Sequence, residues 1–201
     1  MTVTPAPAAP PVLALVRHGE TDWNHARRIQ GRTEVPLNDT GRAQASAAGA
    51  LLATAAHGPW EGAYASPLGR AIETAEIIAQ RLGLAAPTID EGLWERDFGE
   101  AEGLLVEDIE ARWPGQRGIP GSEPLDSVAE RSAAAIDSIY RSAPGSIVVA
   151  HGAMLRAGIG RLIGAEMPRI PNGEIWLLRR EPAGYTAALL DPATAPPLLH
   201  R

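Results

Sequence analysis

The sequence predicts an α/β protein, a three-layer α/β/α sandwich built on a mostly parallel sheet with an antiparallel edge. Two short apolar runs, 12–16 and 146–150, have the branched composition of buried parallel strands. Segments with the apolar spacing of helices alternate with the predicted strands. Near the end, strands at about 174–180 and 185–190 are separated by a Pro-Ala-Gly turn, which predicts a hairpin at one edge.

The two ends of the chain differ in composition. Residues 1–11 are rich in proline and alanine and lack the cations and apolar core of a signal peptide, so we expect a disordered tail. Residues 12–201 have the length and apolar content of a single domain. A cytoplasmic location is the default expectation.

After the first strand, residues 19–37 show little periodicity, which predicts a long loop of the kind that often carries function. Polar residues at 38–40 then provide the N-cap for an alanine-rich helix over 42–56. Gly58 and Pro59 are expected to end that helix.

The next unit is a strand over 60–65 followed by a helix. Ser66 and Pro67 predict the start of the helix, since serine is a good N-cap and proline fits the first helical position. Apolar residues at core spacing carry the helix to about Leu82. Arg70 lies in its first turn, from which it is expected to leave the apolar stripe and point toward the strand ends.

The remaining elements follow from the same signals. An acidic, glycine-punctuated loop spans 91–103, and a second glycine-rich loop spans 114–124. The other elements predicted are a short strand at 88–89 and helices over about 104–113, 125–141 and 154–163.

The composition excludes several chemistries. All 18 cationic residues are arginine, and without lysine there is neither a P-loop nor a Schiff base. Without cysteine there is no thiolate nucleophile or cysteine zinc site. A net charge of −6 without a basic run argues against nucleic acid as a partner, and no apolar run is long enough to span a membrane.

Polar residues follow two of the predicted strands. Arg17, His18 and Gly19 come directly after the first strand, and His151 with Gly152 after the strand at 146–150. Because ligands bind at the carboxyl ends of parallel strands, we expect the two imidazoles to share a cleft.

Arginine matches the geometry of phosphate oxygens, and the predicted positions of four side chains allow their donors to converge there. Such a cluster suits a dianionic phosphate; its members would be Arg17, Asn24, Arg70 and His151.

The type of nucleophile follows from the residues that the chain lacks. The chain has no Asp-x-Asp for an aspartyl nucleophile, no cysteine and no dense His/Asp cluster for metals, which leaves histidine as the nucleophile. A phosphoryl transfer also needs an acid for the departing alkoxide. The spacing does not choose among the carboxylates of the acidic loop: Glu91, Glu95, Asp97, Glu100 and Glu102.

Four segments carry a resemblance to a known family. They are Leu-Val-Arg-His-Gly-Glu-Thr at 15–21 with Asn24, Pro36, Leu37 and Gly41; Ser-Pro-Leu-x-Arg-Ala-x-x-Thr-Ala at 66–75; Leu-x-Glu-x-x-Phe-Gly-x-x-Glu-Gly at 93–103; and Val-x-His-Gly at 149–152. In this order they resemble the histidine phosphatase superfamily, in its phosphoglycerate mutase-like branch (branch 1). The resemblance implies the sandwich fold described above.

The resemblance also implies catalytic roles. His18 would be the nucleophile and would form a transient phosphohistidine. Glu95 would protonate the leaving group and then activate the water that hydrolyses the phosphohistidine. Glu102 is expected to fix its loop instead of taking part in the chemistry.

The implied binding residues surround the phosphoryl group. Its oxygens would be held by Arg17, Arg70 and His151, with Asn24 assisting, and the entrance would be lined by Gln30 and Gly31. No cofactor or metal is implied. Since they match no motif, His25, His57 and His200 are expected at the surface.

Two departures from the family pattern fall in the loops expected to cover the site. Ala101 stands where the family often has an aromatic residue, and Ser122 replaces the second glycine of a Pro-Gly-Gly-Glu segment. Both bear on substrate choice and leave the chemistry unchanged.

The activity expected is hydrolysis of small phosphomonoesters, by a monomer or a homodimer. The alternative is a 2,3-bisphosphoglycerate-dependent phosphoglycerate mutase, but the family's mutases have a longer insert between the acid and the second histidine.

Two readings from other functional classes are less favoured. A catalytically silent phosphate-binding module would lack His18 or Glu95, and a dinucleotide-binding domain would need Gly-x-Gly-x-x-Gly after the first strand. Candidate substrates are phosphosugars, phosphoglycerate derivatives, phosphoserine and ribazole phosphate.

Overall fold

The structure is a computed structural model that describes residues 11–55 and 59–191. The expectations for the tail at 1–10, for the end of the helix at 56–58, and for the exposure of His57 and His200 lie outside the described residues.

The described residues contain one six-stranded sheet. Its strands are ordered β3-β2-β4-β1-β5-β6, and β1 to β4 are mutually parallel where they pair, whereas β5 is antiparallel to both β1 and β6. This confirms the mostly parallel sheet with an antiparallel hairpin edge. The strands are β1 Val12–Arg17, β2 Gly62–Ala65, β3 Thr88–Ile89, β4 Ser146–Ala150, β5 Ile175–Glu181 and β6 Gly184–Leu189.

Six α-helices connect and cover the strands in the part of the chain that the structure describes. They are α1 Asp22–His25, α2 Asp39–Thr54, α3 Gly69–Leu82, α4 Val106–Arg112, α5 Leu125–Ser142 and α6 Gly152–Ile163. Short 3₁₀ turns lie at Glu91–Leu93, Gly99–Ala101 and Pro114–Gln116.

The alternation of side chains along β1 explains the three layers. Val12, Ala14 and Val16 belong to a core cluster that includes residues of α2 and α3. Leu13 and Leu15 belong to a second cluster, which includes residues of α5 and α6. Successive residues of a strand point to opposite faces, so a strand that is apolar at every position needs a helical layer on each face.

The register of the central strands places polar groups side by side. Arg17 at the end of β1 pairs with Ala150 at the end of β4, so the residues that follow, His18 and His151, leave the sheet together. The backbone N–H of Ser66, directly after β2, donates to the carbonyl of Val149 on β4. Three neighbouring parallel strands thus end at one polar edge.

Two local predictions were wrong. Helix α3 begins at Gly69 instead of Pro67, and its N-cap is Leu68, because the Ser66 hydroxyl contacts the side chain of His151, which follows β4. The segment at 19–37 is not wholly loop, since Thr21 and Asn24 form a capping box that starts the short helix α1. The other helix and strand boundaries lie within about two to three residues of their predicted positions where they are described.

A third apolar cluster lies in the segments that follow β3. It joins buried Phe98, Ala101, Ile109 and Ile119 to partly buried residues that include Ile29. Ala101 has no exposed surface, so a larger side chain at this position would have to displace its neighbours. The cluster therefore packs the acidic loop, α4 and the glycine-rich loop together as one unit.

Candidate active site

A cavity of about 290 Å³ opens among loops that follow the strands. It is lined by seven of the eight residues singled out in the sequence: Arg17, His18, Asn24, Gln30, Gly31, Arg70 and Glu95. The eighth, His151, is fully buried, and its ring centroid lies 5.1 Å from that of His18. The structure therefore brings all eight residues together.

The tautomer of His18 follows from one contact. Its Nδ1 lies 2.7 Å from the carbonyl oxygen of Gly19, and a carbonyl only accepts, so Nδ1 must carry the proton. Nε2 then holds the free lone pair of the neutral ring. Burial lowers the pKa of His18 well below 6.5, and the charges of Arg70 and Arg17 lower it further. The ring is therefore neutral at physiological pH, with a lone pair on Nε2.

His151 is oriented by Ser66, whose Oγ lies 2.7 Å from Nε2 of His151. The same Oγ accepts a long hydrogen bond of 3.5 Å from the backbone N–H of Leu68, and its own proton finds no other acceptor among the described residues. The pairing that satisfies both groups has the serine hydroxyl donating to Nε2, which leaves the proton of His151 on Nδ1. His151 then presents a donor, whereas His18 presents a lone pair.

The two inner arginines donate to backbone carbonyls, and the Nε–H of each is buried without a partner among the described residues. Arg17 donates to the carbonyl of Ile170 at 2.7 Å, and Arg70 to those of Thr33 and Gly31 at 2.9 and 2.7 Å. The Nε atoms of both arginines are buried and have no hydrogen-bond partner in the described chain. Burial lowers the pKa of Arg17 to about 10, which still leaves it charged at neutral pH.

Nδ1 of His151 is also buried without a partner, so three unsatisfied nitrogens lie among these residues. An unsatisfied buried donor costs about 1–3 kcal/mol, so three in one place indicate a function. They are donors of the kind that phosphoryl oxygens accept.

Glu95 is the carboxylate among the cavity-lining residues, a choice that spacing alone had left open. Its Oε1 accepts from the backbone N–H of Arg96 and Met154 at 2.8 and 2.9 Å, and its Oε2 from that of Ala153 at 3.1 Å. Ala153 and Met154 lie in the first turn of α6, where orphan N–H groups favour a negative charge. The carboxylate of Glu95 is thus held beside the strand end that carries His151.

The acidic loop is held in place by an ion-pair network. Arg131 of α5 donates to both carboxylate oxygens of Glu123 at 2.9 Å and to the carbonyls of Gly92 and Trp94 at 3.1 and 2.8 Å. Burial raises the pKa of Glu123, but Arg131 outweighs it and holds the pKa below its ordinary value. Glu95 follows Trp94 directly, so this network positions it.

Asn172 is a residue that sequence reasoning missed. Its Nδ2 donates to the carbonyls of His18 and Gly19 at 3.0 and 3.3 Å and to Oδ1 of Asn24 at 3.0 Å. With Oδ1 engaged, Asn24 has its Nδ2 to offer a ligand. The one available signal was the Asn-Gly dipeptide before β5, which indicated only a turn.

Glu102 fixes the loops around the entrance, as expected. It accepts hydrogen bonds from the backbone of Arg32, Thr33 and Phe98 and from the Thr33 hydroxyl. Gln30 is held at the same entrance, since its Oε1 accepts from the hydroxyl of Thr21 at 2.9 Å. His25, by contrast, is 81% exposed and lies outside the cavity lining.

Residues 11–55 and 59–191 contain neither a cluster of metal-binding side chains nor a membrane-spanning helix. No group of three or more histidine, aspartate or glutamate side chains there is arranged to hold a metal ion. None of the helices in these ranges combines the length and the apolar composition that crossing a bilayer requires.

Comparison with known proteins identifies similar sequences and folds. The model of the histidine phosphatase superfamily (branch 1) matches residues 13–191. The uncharacterized phosphatase PhoE of Bacillus subtilis is 36% identical over 156 residues, 77% of this chain and 78% of its own. Phosphoglycerate mutase-like protein 4 of Arabidopsis thaliana is 35% identical over 158 residues, 72% of this chain and 68% of its own. A mycobacterial glucosyl-3-phosphoglycerate phosphatase superposes with a TM-score of 0.76 at 28% identity, covering 89% of this chain and 98% of the other.

Proposed function

Because the chain belongs to the histidine phosphatase superfamily (branch 1), we propose that it hydrolyses small phosphomonoesters through a phosphohistidine on His18. The observation that carries the proposal is the pairing of a neutral His18 with three unsatisfied buried donors. Nε2 of His18 holds a free lone pair, and Nε of Arg17, Nε of Arg70 and Nδ1 of His151 lack partners in the described chain. A nucleophile beside unsatisfied hydrogen-bond donors suits phosphoryl transfer.

In the first step, Nε2 of His18 attacks the phosphorus atom. The P–N bond forms as the bond between phosphorus and the ester oxygen breaks, and the departing oxygen takes a proton from Glu95. Arg17, Arg70 and the Nδ1–H of His151 neutralise the charge on the phosphoryl oxygens. The products of this step are the free alcohol and phosphohistidine.

In the second step, Glu95 acts as a base. Its carboxylate takes a proton from a water molecule as the water oxygen attacks phosphorus, and the P–N bond breaks with its electrons returning to Nε2. Inorganic phosphate leaves, and His18 and Glu95 regain their starting states.

A phosphoglycerate mutase is the second candidate, since one of the relatives is described as mutase-like. A mutase must keep the phosphoryl group on histidine until it returns to a substrate hydroxyl. The stretch between Glu95 and His151 is filled here by short turns, α4, α5 and β4, without the longer insert expected of the family's mutases. Incubation of 3-phosphoglycerate with 2,3-bisphosphoglycerate separates the two: a phosphatase releases phosphate, whereas a mutase forms 2-phosphoglycerate.

The test of the proposed function is turnover of p-nitrophenyl phosphate by His18→Ala, with His25→Ala as the matched control. His18→Ala should lose at least about 10³-fold in kcat, since the covalent route is closed. His25→Ala should behave as wild type. A chelator should leave turnover intact, because the proposed steps use no metal. Retained turnover in His18→Ala, or loss on chelation that a divalent metal restores, would contradict the mechanism.

A further inference from the structure

The charge of the cavity is opposite to that of the protein. The chain has a net charge of −6, yet the cavity is lined by one carboxylate, Glu95, and by a third of all the arginines. They are Arg17, Arg27, Arg28, Arg70, Arg156 and Arg169. So many like charges around one cavity repel each other, and an anionic ligand relieves that repulsion.

The transferred phosphoryl group accounts for only part of this charge. Arg17 and Arg70, together with His151, already supply the donors around the proposed nucleophile, His18. Arg156 and Arg169 are exposed at the cavity and play no part in the steps above.

These two outer arginines belong to one wall beside Arg17. Arg156 on α6 donates from Nε to the carbonyl of Met167 at 3.4 Å, in the segment that carries Arg169. Arg17 donates to the carbonyl of Ile170, the residue after Arg169. Arg17 and Arg169 both line the cavity, and the charge of Arg169 adds to burial in lowering the pKa of Arg17.

Apolar side chains complete the lining. Ile29, Phe98, Val106 and Ile170 line the same cavity, and its volume of about 290 Å³ lies at the small end for ligand pockets. A compact carbon skeleton therefore fits between the inner and the outer arginines better than an extended one.

We propose that the substrate carries a second anionic group, a carboxylate or a further phosphate, and that Arg156 and Arg169 bind it. This inference rests on the proposed function and names its substrate class: compact phosphomonoesters with an additional acid group. Phosphosugars and alkyl phosphates that have no acid group besides the transferred phosphate would leave the outer arginines without a counter-charge.

The test compares substrates that differ in one acid group. 3-Phosphoglycerate and glycerol 3-phosphate differ by a carboxylate, as do phosphoserine and phosphoethanolamine; fructose 1,6-bisphosphate and fructose 6-phosphate differ by a phosphate. For either the carboxylate pairs or the phosphate pair, the kcat/KM of the wild type should be at least about tenfold higher for the substrate with the additional acid group. A difference of this size is the effect of one charge-assisted contact. The kind of pair that shows the preference identifies the second group.

The double variant Arg156→Gln/Arg169→Gln should lose that preference mainly through a higher KM. Turnover of glycerol 3-phosphate and p-nitrophenyl phosphate should stay within about twofold of wild type, because the phosphoryl contacts are unchanged. Arg161→Gln is the matched control, since Arg161 lies on the same helix and pairs with Glu130 outside the cavity lining. It should keep the preference.

The inference is overturned if the wild type prefers no acidic member, or if the double variant keeps the preference. Either result would leave the proposed function standing, provided that p-nitrophenyl phosphate is still hydrolysed in a His18-dependent way. Absence of any His18-dependent phosphatase activity would instead overturn the proposed function, and this inference with it.

Discussion

Ser66 shows how a single hydroxyl assigns different roles to two similar side chains. His18 and His151 are both buried. The carbonyl of Gly19 accepts from Nδ1 of His18 and so fixes the proton there. The hydroxyl of Ser66 donates to Nε2 of His151, which leaves the proton of that ring on its Nδ1. The first ring therefore offers a lone pair at Nε2, and the second offers a donor at Nδ1. In this account Ser66 is a positioning residue, since it acts through His151.

Ser66→Ala should lower kcat about tenfold, the effect of losing roughly 1–1.5 kcal/mol from one hydrogen bond. Ser66→Thr keeps the hydroxyl and should recover most of the loss. The ¹⁵N chemical shifts of His151 should show a proton on Nδ1 in the wild type and a mixed tautomer in Ser66→Ala. An unchanged tautomer in that variant would refute the positioning role, whatever the change in kcat.

Both histidines should remain neutral at pH 6. Their pKa values are lowered by burial and by neighbouring arginines, so the folded protein takes up these protons only as the pH falls well below 6.5. The unfolded chain takes them up near pH 6.5, so these residues reduce stability progressively as the pH falls below that value. NMR titration of ¹⁵N-histidine-labelled protein, assigned with His18→Ala and His151→Ala, checks this. Titration of either ring at or above pH 6.5 would be inconsistent with the described burial.

At the scale of the elements, the loop after α1 depends on a glycine. Gly31 has φ +53°, and its carbonyl accepts from Arg70. A Cβ at this position would lie 1.8 Å from Oε1 of Glu102, the side chain that fixes the neighbouring loops. Gly31 thus needs a left-handed backbone conformation and also helps to hold Arg70, which is proposed to bind the phosphoryl group.

Gly31→Ala should destabilise the fold by more than the roughly 1–2 kcal/mol of left-handed strain and should also lower activity. Gly83→Ala is the matched control, because Gly83 has φ +69° at the end of α3 with no atom within 4 Å of the added Cβ. Gly83→Ala should lower the free energy of unfolding by the backbone strain alone and should keep a normal kcat. Chemical denaturation and p-nitrophenyl phosphate turnover measure the two effects. Equal behaviour of the variants would show that the contact with Glu102 is unimportant.

Some helices and strands could be predicted from sequence patterns, and others could not. The strands β1 and β4 were predictable because fully apolar runs next to glycine leave few other interpretations. The start of α3 was not predictable. Ser66 and Pro67 are a local signal for a helix start, but the hydroxyl of Ser66 instead contacts His151, which is distant in the sequence. The helix α1 was missed because four residues are too short for an apolar period to appear.

At the scale of the whole molecule, the site joins groups that are distant in sequence. The parallel pairing of β1 with β4 brings His18 to His151, which follows from the order and direction of strands and so could be anticipated. The contact between Glu95 and the first turn of α6 could not, because no period or spacing connects that acidic loop to α6. For the same reason Asn172 and the outer arginines emerged only from the assembled structure.

Whether His18 carries the phosphoryl group can be measured in the variant Glu95→Gln. With p-nitrophenyl phosphate, whose leaving group needs little acid assistance, the first step should proceed while the second lacks its base. We expect phosphoenzyme to accumulate during turnover, and mass spectrometry at neutral to alkaline pH should locate the phosphoryl group on His18. Phosphorylation at His151 or elsewhere, or steady turnover with no phosphohistidine in a trapped sample, would rule out His18 as the nucleophile.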